Sequence, residues 1–370
     1  MIRNYLLLFF VATLVYSLTG CKKETSEIHL IPAFKGDTTT LNGLARANEG
    51  INASYSVFMD FSRGIQTREL RNSWDFGVYC GAENRLIINH SMGAAAIALN
   101  KTSLADVGAA DTSALEKDGT LLVNQTNGNL KNVDPVSGDF AAYLSGTVFA
   151  EVKADAESSN VYIVNKGTAG DTVNTPNKRW YKMKVYLVDR GYKIDYALIN
   201  ETTASRFSTT TIAKDDSFNF RFAAFSSNRT NFEPARANWD IEWGWSTYKN
   251  AAGNAVTVPD FVLINFGGGT RAAEVKFPGL DAAATAKKYE DYVFADQTGV
   301  TYSAERDVIG TKWRNLDPAA GPSSVNKDRF YLIKDGEGNV YKLRFLSFIP
   351  NDGGQRGRPR IEYRLLGPNT

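Results

Sequence analysis

Short runs of apolar and β-branched residues, broken by Gly, Asn and Asp, fill the chain from Trp74 onward. Because side chains along a strand point alternately to its two faces, runs in which apolar and polar residues alternate predict half-buried strands. Two pairs of such runs, at 179–199 and 329–348, are separated by turn residues and predict β-hairpins. We therefore predict an all-β protein made of antiparallel sheets that pack as a sandwich.

One segment departs from the strand pattern. Residues Asp281 to Phe294 are rich in alanine and charged side chains, which favour a helix over a strand. We expect a short helix there, at the periphery of the sheets.

The strand-forming segments occur twice in the same order, which indicates an internal duplication. The first set begins at Trp74, Tyr186 and Ser217 with WDFGVYC, YLVDRGYKIDYAL and SFNFRFAAF. The second set begins at Trp239, Tyr331 and Arg360 with WDIEWGW, YLIKDGEGNVYKLRFL and RIEYRLL. We predict two tandem related β units, at 51–230 and 231–370, with the boundary near 228–237, where Pro234 and polar residues interrupt the strands.

Each predicted unit carries a Trp-Asp strand whose side chains repeat with a period of two. The residues predicted to share a buried face are Trp74, Phe76, Val78 and Cys80 in the first strand and Trp239, Ile241, Trp243 and Trp245 in the second. Asp75 and Asp240 then point the other way, towards backbone amides of a neighbouring turn or towards solvent. We interpret each Trp-Asp pair as a core anchor with a capping carboxylate rather than as catalytic residues.

The amino terminus has the order of a secretory signal peptide: Arg3, an apolar run at 5–16, and small residues that end at Cys21. A transmembrane helix is the alternative, but the apolar run has only about a dozen residues and a bilayer needs about 20. Leu18 to Cys21 resembles the lipobox of bacterial lipoproteins, in which the signal peptide, here 1–20, is removed and the cysteine receives lipid. We therefore expect lipid on Cys21 to hold the protein on a membrane.

The residues after Cys21 bear on where the protein is placed. Lys22 follows the cysteine instead of aspartate, so nothing here resembles the signal that keeps lipoproteins in the inner membrane. We therefore expect the outer membrane. Residues 21–50 are polar with little apolar periodicity, and they predict a flexible tether. Whether the body faces the cell surface or the periplasm stays open.

Composition excludes several classes of function. A formal charge of +2 over 370 residues gives no basic surface for nucleic acid. Once Cys21 carries lipid, Cys80 is the one cysteine left, so no intramolecular disulfide forms. The chain has two histidines and no zinc or nucleophile motif, and Gly267-Gly268-Gly269 predicts a tight turn or a bulge rather than a phosphate cradle. Paired carboxylates for glycoside hydrolysis stay an alternative, but we expect a binding protein and not an enzyme.

The Trp-Asp strands, the hairpin with Asp-Gly at its turn, and the run DVIGTKWRN at 307–315 resemble lipoproteins of the HmuY family, which are typical of the Bacteroidetes. The resemblance covers most of Trp74 to Leu366, and the lipobox agrees with it. It implies an all-β fold and the capture of haem at the cell surface for transfer to an outer-membrane transporter. It also implies that two axial side chains, histidine or methionine, hold the iron.

The sequence offers few such iron ligands. Past Met183 there is neither His nor Met, so the second unit cannot hold the iron by itself. His90 is the first candidate, followed by Met92, Met59 or a tyrosine. We expect His90 at an exposed turn between two strands, where Gly93 allows the chain to bend. The alternative is a surface histidine without a ligand role, with Met92 filling a gap in the core.

A second binding hypothesis needs no haem. Trp243, Trp245 and nearby Tyr248 could form an aromatic platform for a surface glycan. Aromatic rings in a strand more often belong to the core, so the exposure of these rings decides between a glycan platform and a core role. Exposed rings in line favour sugars, and buried rings remove the platform.

Overall fold

Strands dominate the computed structural model of this protein, and every described pair of strands is antiparallel. The prediction of an all-β antiparallel protein is therefore confirmed. The structure describes residues 33–113, 115, 121–124, 126–168, 180–278 and 286–368, without the side chains of 227–230. The predicted signal peptide, Cys21 and the first part of the predicted tether lie outside these residues.

The strands and helices are numbered here in chain order. The strands are β1 Gly36–Thr40, β2 Tyr55–Asp60, β3 Ile65–Leu70, β4 Phe76–Tyr79, β5 Leu86–Ile88, β6 Ala95–Ala98, β7 Val161–Asn165, β8 Trp180–Val188, β9 Gly191–Leu198, β10 Ser208–Ala213, β11 Phe220–Ala224, β12 Ser227–Thr230, β13 Ile241–Lys249, β14 Ala255–Ile264, β15 Arg271–Lys276, β16 Arg314–Asn315, β17 Ser324–Val325, β18 Arg329–Lys334, β19 Asn339–Ser347 and β20 Arg360–Pro368. An α-helix, α1, spans Phe140–Ser145. The 3₁₀ helices are Gly50–Asn52, Leu104–Asp106, Ala109–Asp111, Leu130–Asn132, Ala204–Arg206, Phe266–Gly268, Phe294–Gln297, Pro318–Ala320 and Pro350–Asp352.

Most of these strands form two sandwiches with the same sheet sizes. Sandwich A consists of β4 to β12, in a five-stranded sheet of order β10-β9-β8-β7-β6 and a four-stranded sheet of order β12-β11-β4-β5. Sandwich B consists of β1 to β3, β13 to β15 and β18 to β20, in a five-stranded sheet of order β1-β20-β19-β18-β15 and a four-stranded sheet of order β14-β13-β2-β3. Strands β16 and β17 form a separate two-stranded ribbon.

Hydrophobic clusters show how the sheets are layered. The interior of sandwich A includes Phe76, Val78, Tyr162, Met183 and Tyr196. The interior of sandwich B includes Ile241, Trp243, Tyr331, Leu343 and Tyr363. A third cluster joins the two four-stranded sheets and includes Phe58, Trp74, Ile87, Phe222 and Trp239. The layers therefore follow the order five, four, four and five strands, with both Trp-Asp segments at the inner pair.

The two sandwiches share one arrangement of strands, but sandwich B is circularly permuted. In sheet order, β4 to β9 correspond to β13, β14, β15, β18, β19 and β20, and β10 to β12 correspond to β1 to β3. The register agrees, because Tyr162 lies opposite Met183 in sandwich A and Tyr331 lies opposite Leu343 in sandwich B. The sequence agrees as well, since YKMKV in β8 matches YKLRF in β19 and IDYAL in β9 matches IEYRL in β20. Strands that precede sandwich A in the chain therefore complete sandwich B.

In each sandwich, an asparagine holds the Trp-Asp segment in the same way. These two residues, Asn89 after β5 and Asn265 after β14, are called the corner asparagines here. Asn89 Nδ2 donates to the carbonyls of Arg71 and Trp74, at 2.8 and 2.7 Å. In sandwich B, Asn265 Nδ2 donates at 2.8 Å to the carbonyls of the two residues equivalent to these, Arg236 and Trp239. The two corners thus use the same donor atom and matching acceptors, which independently supports the alignment of the sandwiches.

The predicted burial of the Trp-Asp strands is confirmed, since all eight predicted side chains are at most 6% exposed. Asp75 accepts a hydrogen bond from the backbone N–H of Phe225, and Asp240 accepts one from the backbone N–H of Phe61, each at 2.7 Å. The prediction that these carboxylates cap backbone amides is therefore confirmed.

The prediction that the tryptophans share a face with the residues after them is wrong. Trp74 and Trp239 pack between the sandwiches, whereas Phe76 and Ile241 pack inside them. Strands β4 and β13 begin only at Phe76 and Ile241, so the period of two does not extend back to the tryptophans.

The predicted tether is wrong in its second part. Residues Gly36–Thr40 form β1, which pairs with β20, and Leu41 is fully buried. The polar composition of β1 misled the prediction, because β1 is an edge strand whose threonine side chains are partly exposed to solvent.

The helix predicted from Asp281 to Phe294 is wrong where the structure describes it. Residues 286–293 form bends and turns, followed by the 3₁₀ helix Phe294–Gln297, and 279–285 lie outside the described residues. Tyr289 and Tyr292 are buried against β18, and their carbonyls accept hydrogen bonds from Lys342 Nζ. Because these side chains and carbonyls make contacts with the sheet, the segment lies along the sheet and does not form a helix.

A short α-helix, α1, lies elsewhere in the described residues. Its N-cap is Asp139, whose carboxylate accepts from the backbone N–H of Ala142 at 2.9 Å, and its buried side chains are Tyr143 and Leu144. With six residues, α1 is too short for its sequence to show helical periodicity.

The division into units 51–230 and 231–370 stays a prediction, but strand pairing crosses its boundary. Met59 of β2 lies opposite Ile241 of β13, and β3 continues the same sheet. Strand β13 is an inner strand that needs a partner on each edge, and β2 provides the second one. All described residues belong to one compact unit.

Candidate functional site

His90 lies in the turn after β5, but it is not exposed. Its side chain is 7% exposed, with Nδ1 3.3 Å from Ser246 Oγ and Nε2 3.9 Å from Glu242 Oε2. Its ring meets the Trp74 ring edge-on, at 5.7 Å between centroids. Burial, together with Arg306, holds the pKa of His90 well below its usual value, so the imidazole is neutral. The expected exposure of His90 is wrong because the turn packs against β13.

The space beside His90 does not fit a haem. A cavity of about 10 Å³ lies between His90, Asp134 and Arg306. That volume is close to the room that one water molecule needs, whereas ligand pockets have roughly 300–1,000 Å³. A macrocycle would have to separate the two sandwiches to reach this imidazole.

The two methionine candidates do not complete an axial pair with His90. Met59 is 1% exposed inside sandwich B, where its strand pairs with β13, while His90 lies between the sandwiches. Met92 is half-buried, and its sulfur lies 3.9 Å from Arg71 Nη1. Iron ligation by these three residues therefore stays a prediction that their packing does not favour.

The predicted aromatic platform is not a surface. Trp243 and Trp245 are each 1% exposed, and the Trp245 indole N–H donates to the Ile51 carbonyl at 3.1 Å. Tyr248 is half-buried, with its ring 5.6 Å from the Phe261 ring. The platform prediction is wrong because these rings belong to the packing of β13 against its neighbours.

A polar cluster surrounds Arg306 between the sandwiches. Burial raises the pKa of Glu242 to about 7, and burial together with Glu242 raises the pKa of Glu233 to about 8, although Arg306 lowers both. Burial also raises the pKa of Asp134 to about 6, although this carboxylate accepts from two backbone N–H groups. The cluster thus holds acidic groups that titrate near neutral pH, and its enclosed position suits pH-dependent stability better than catalysis.

An open groove of about 790 Å³ runs along β15, on the edge of the five-stranded sheet of sandwich B. Its apolar lining includes Ala272, Ala273, Val275, Tyr292, Val300 and Val308. Its charged lining consists of Glu274, Lys276, Lys287 and Asp296, of which Lys287 and Asp296 form an ion pair at 2.8 Å. Apolar walls with a few charged groups are typical of a small-molecule site.

Sequence reasoning missed this groove. It forms between β15 and the segment 286–308. The predicted helix, 281–294, includes the first residues of this segment. One signal was available, since the run RAAEV places small side chains at consecutive positions of a strand. Small residues at the edge of a sheet leave room that larger ones fill.

Three further features of the described part of the chain bear on its function. No three His, Cys, Asp or Glu side chains come together there as metal ligands. Cys80 is a buried free thiol whose pKa is raised by burial. Among the described helices, none is long and apolar enough to cross a bilayer.

The fold and the site define an all-β, two-sandwich protein with an enclosed polar cluster and an open groove. The family model described as HmuY protein matches residues 52–363, most of the chain, so the protein belongs to the HmuY family. This is a family of binding proteins. Neither the curated proteins nor the solved structures contain a match to the chain.

Proposed function

We propose that this chain is a lipid-anchored binding protein of the HmuY type, not an enzyme, and that it captures haem or a related porphyrin for uptake. The family match across 52–363 carries the proposal. Lipid on Cys21 would hold the protein at the outer membrane, beside a transporter that receives the ligand.

The groove along β15 is the site we assign to the ligand. A porphyrin offers a flat apolar ring and two carboxylates, and the groove offers apolar walls together with Lys276 and Lys287. Burial of apolar surface supplies the attraction, and a lysine ammonium pairs with a carboxylate. No described His or Met lines the groove, so binding there does not depend on a histidine or methionine bound to iron.

A titration of the full chain in detergent, with detergent alone as the blank, tests this proposal. Haemin is followed through the Soret band, and metal-free protoporphyrin is followed through its fluorescence. We expect both to bind at micromolar concentration, because the ring and its carboxylates provide the contacts. No spectral change with either porphyrin would reject the proposal.

Variants separate the groove from His90. Lys276→Glu is expected to weaken binding roughly tenfold, since it reverses a charge that faces the ligand carboxylates. Lys288→Glu is the matched control, because Lys288 is exposed and does not line the groove. His90→Ala is expected to leave binding unchanged. A loss of haemin binding in His90→Ala alone would instead assign the site to His90.

A further inference from the structure

A second cavity, of about 120 Å³, lies beside the Trp-Asp segment of sandwich B. Its lining includes Ser62, Asp240, Gly268, Thr270, Asp335 and Glu337. Asp240 and Asp335 are each 5% exposed. The cavity therefore presents three carboxylates, two of them buried.

The alignment of the sandwiches assigns the two buried acids, Asp240 and Asp335, counterparts in sandwich A. Asp75 is the counterpart of Asp240, since each follows the tryptophan of its Trp-Asp segment. The strand registers make Val164 of β7 equivalent to Ile333 of β18, because these lie opposite Tyr181 and Tyr341 of the matching YK pairs. Two residues further on, Lys166 is the counterpart of Asp335. A glycine follows in both sequences, NKG in sandwich A and KDG in sandwich B.

In sandwich A a cation sits on the buried carboxylate. Lys166 Nζ lies 3.1 Å from Asp75 Oδ1. The corresponding place in sandwich B has an acid where the lysine would be. The turn also differs, because the third residue after the corner asparagine is Met92 in sandwich A and Gly268 in sandwich B. Loss of two long side chains accounts for the cavity.

Sandwich B collects negative charge around the buried Asp240. Burial raises the pKa of Asp240 well above its usual value, and the nearby Asp335, Asp60 and Glu337 raise it further. Asp60 Oδ2 is buried and accepts no hydrogen bond, and Arg63 Nε is 3.7 Å from it. A cation inside the cavity would offset this charge, as Lys166 does for Asp75.

Arg236 also lines the cavity, and it is the one cationic side chain among the described lining residues. Its Nη2 donates to the Phe218 carbonyl at 3.0 Å, and its Nε has no hydrogen-bond partner. The described ion pairs do not join Arg236 to Asp240, whereas they do join Lys166 to Asp75. The buried acid of sandwich B therefore lacks the direct ion pair of its counterpart.

We propose that this cavity binds a cation in the place that the Lys166 ammonium group occupies in sandwich A. Carboxylate and hydroxyl oxygens are ligands of hard cations such as Ca²⁺, and they also accept hydrogen bonds from a primary ammonium group. No three described acidic side chains already converge at metal-ligand distance. Both oxygens of Asp335 already accept hydrogen bonds, from the backbone N–H groups of Glu337 and Asn339 and from Asn339 Nδ2. Asp240 is therefore the main ligand, and Asp335, hydroxyl groups and water complete the site, which the flexible coordination of Ca²⁺ permits.

The test compares two matched variants of the full chain by thermal unfolding at pH 8. Asp240→Asn removes the buried acid of sandwich B, and Asp75→Asn removes its counterpart in sandwich A. After treatment with EDTA, each protein receives CaCl₂, MgCl₂ or n-butylammonium chloride at equal ionic strength. In the wild type we expect saturating cation to raise the melting temperature by about 3–6 °C. Asp75→Asn should keep this rise and Asp240→Asn should lose it.

The cation that produces the rise identifies the ligand class. A response to Ca²⁺ alone indicates a metal ion, and a response to n-butylammonium alone indicates an ammonium group of a ligand or partner. An unchanged wild type in all three salts, or an equal rise in Asp240→Asn, overturns the proposal. If Asp240→Asn does not fold, Asp335→Asn takes its place, because asparagine keeps the oxygen that accepts from Glu337 N and Asn339 N and loses only the one that accepts from Asn339 Nδ2.

Discussion

Lys182 and Lys342 occupy equivalent positions in the two five-stranded sheets, and each buries its ammonium group under the segment that covers its sheet. Lys182 Nζ donates to the Val107 carbonyl at 2.6 Å, and Lys342 Nζ donates to the carbonyls of Tyr289 and Tyr292. Burial lowers the pKa of both lysines. Because the covering segments are not strands, these hydrogen bonds fasten them to the sheets.

Lys342→Met should therefore loosen the cover of sandwich B without unfolding its sheets. We expect faster amide hydrogen exchange across 286–302 and a loss of about 1–3 kcal/mol in the free energy of unfolding. Exchange followed by mass spectrometry measures the first, and urea unfolding measures the second. Lys288→Met is the control, because Lys288 is exposed. Equal protection of 286–302 in the two variants would contradict the assigned role.

The corner asparagines should matter far more than exposed ones. Asn89→Ala and Asn265→Ala each remove the amide group that donates to two backbone carbonyls, which predicts a loss of about 2–4 kcal/mol in the free energy of unfolding. Asn48→Ala is the control, since Asn48 is exposed. Urea unfolding compares the stability that each variant loses. A loss below about 1 kcal/mol in the free energy of unfolding for both Asn89→Ala and Asn265→Ala would show that the amides do not hold the Trp-Asp segments.

Glu242 should make the protein less stable as the pH rises. Its pKa is raised to about 7 in the folded state, from 4.5, so the folded protein holds this proton more tightly than the unfolded chain. The free energy of unfolding therefore falls as the pH rises through this interval, by at most about 3 kcal/mol. His90 acts in the opposite sense below its ordinary pKa, because its folded pKa is lowered.

Glu242→Gln isolates this contribution. Urea unfolding at pH 5 and pH 8 should show a smaller fall in stability for Glu242→Gln than for the wild type. Glu157→Gln, at an exposed position, should keep the wild-type difference. The same fall in all three proteins would mean that Glu242 ionises normally.

Cys21→Ser tests the lipid anchor. In a bacterium that processes lipoproteins, we expect the wild type to incorporate labelled palmitate and to partition into detergent, and Cys21→Ser to do neither. Cys80→Ser is the matched control, because Cys80 is buried and free. Labelling of Cys21→Ser would place the lipid elsewhere.

Local pattern determined much of what the sequence predicted correctly. The hairpins at β8-β9 and β18-β19 and the burial of the apolar side chains of β4 and β13 follow from a period of two within each strand. The glycine run 267–269 also forms the predicted turn, with Gly269 at a φ of +96°. These features need no knowledge of distant partners.

The rest depends on contacts between distant segments. The predicted duplication matches the hairpin at Tyr186 to the hairpin at Tyr331, and this match is wrong by one strand. By position in the sheets, β8 corresponds to β19 and β9 corresponds to β20. The sequence resembles itself at both alignments, and only the sheets decide. His90 illustrates the same limit, because its burial comes from β13, whose residues lie about 150 positions away. The groove and the polar cluster likewise form between segments that are far apart in the sequence, and no local pattern in either segment indicates its partner.

The permutation also sets the order in which the strands of each sandwich are synthesised. All strands of sandwich A lie in one continuous stretch, so this half has its complete set of partners long before synthesis ends. Strands β1 to β3 are translated first, yet their partner β13 follows only after the whole of sandwich A and their partner β20 is the last strand, with Gly36 finally opposite Arg364. The nascent chain therefore carries uncovered strand edges through most of its elongation, the state in which β segments aggregate. A chain that ended after sandwich A would contain all the strands of that sandwich and, in front of them, three strands without partners from sandwich B.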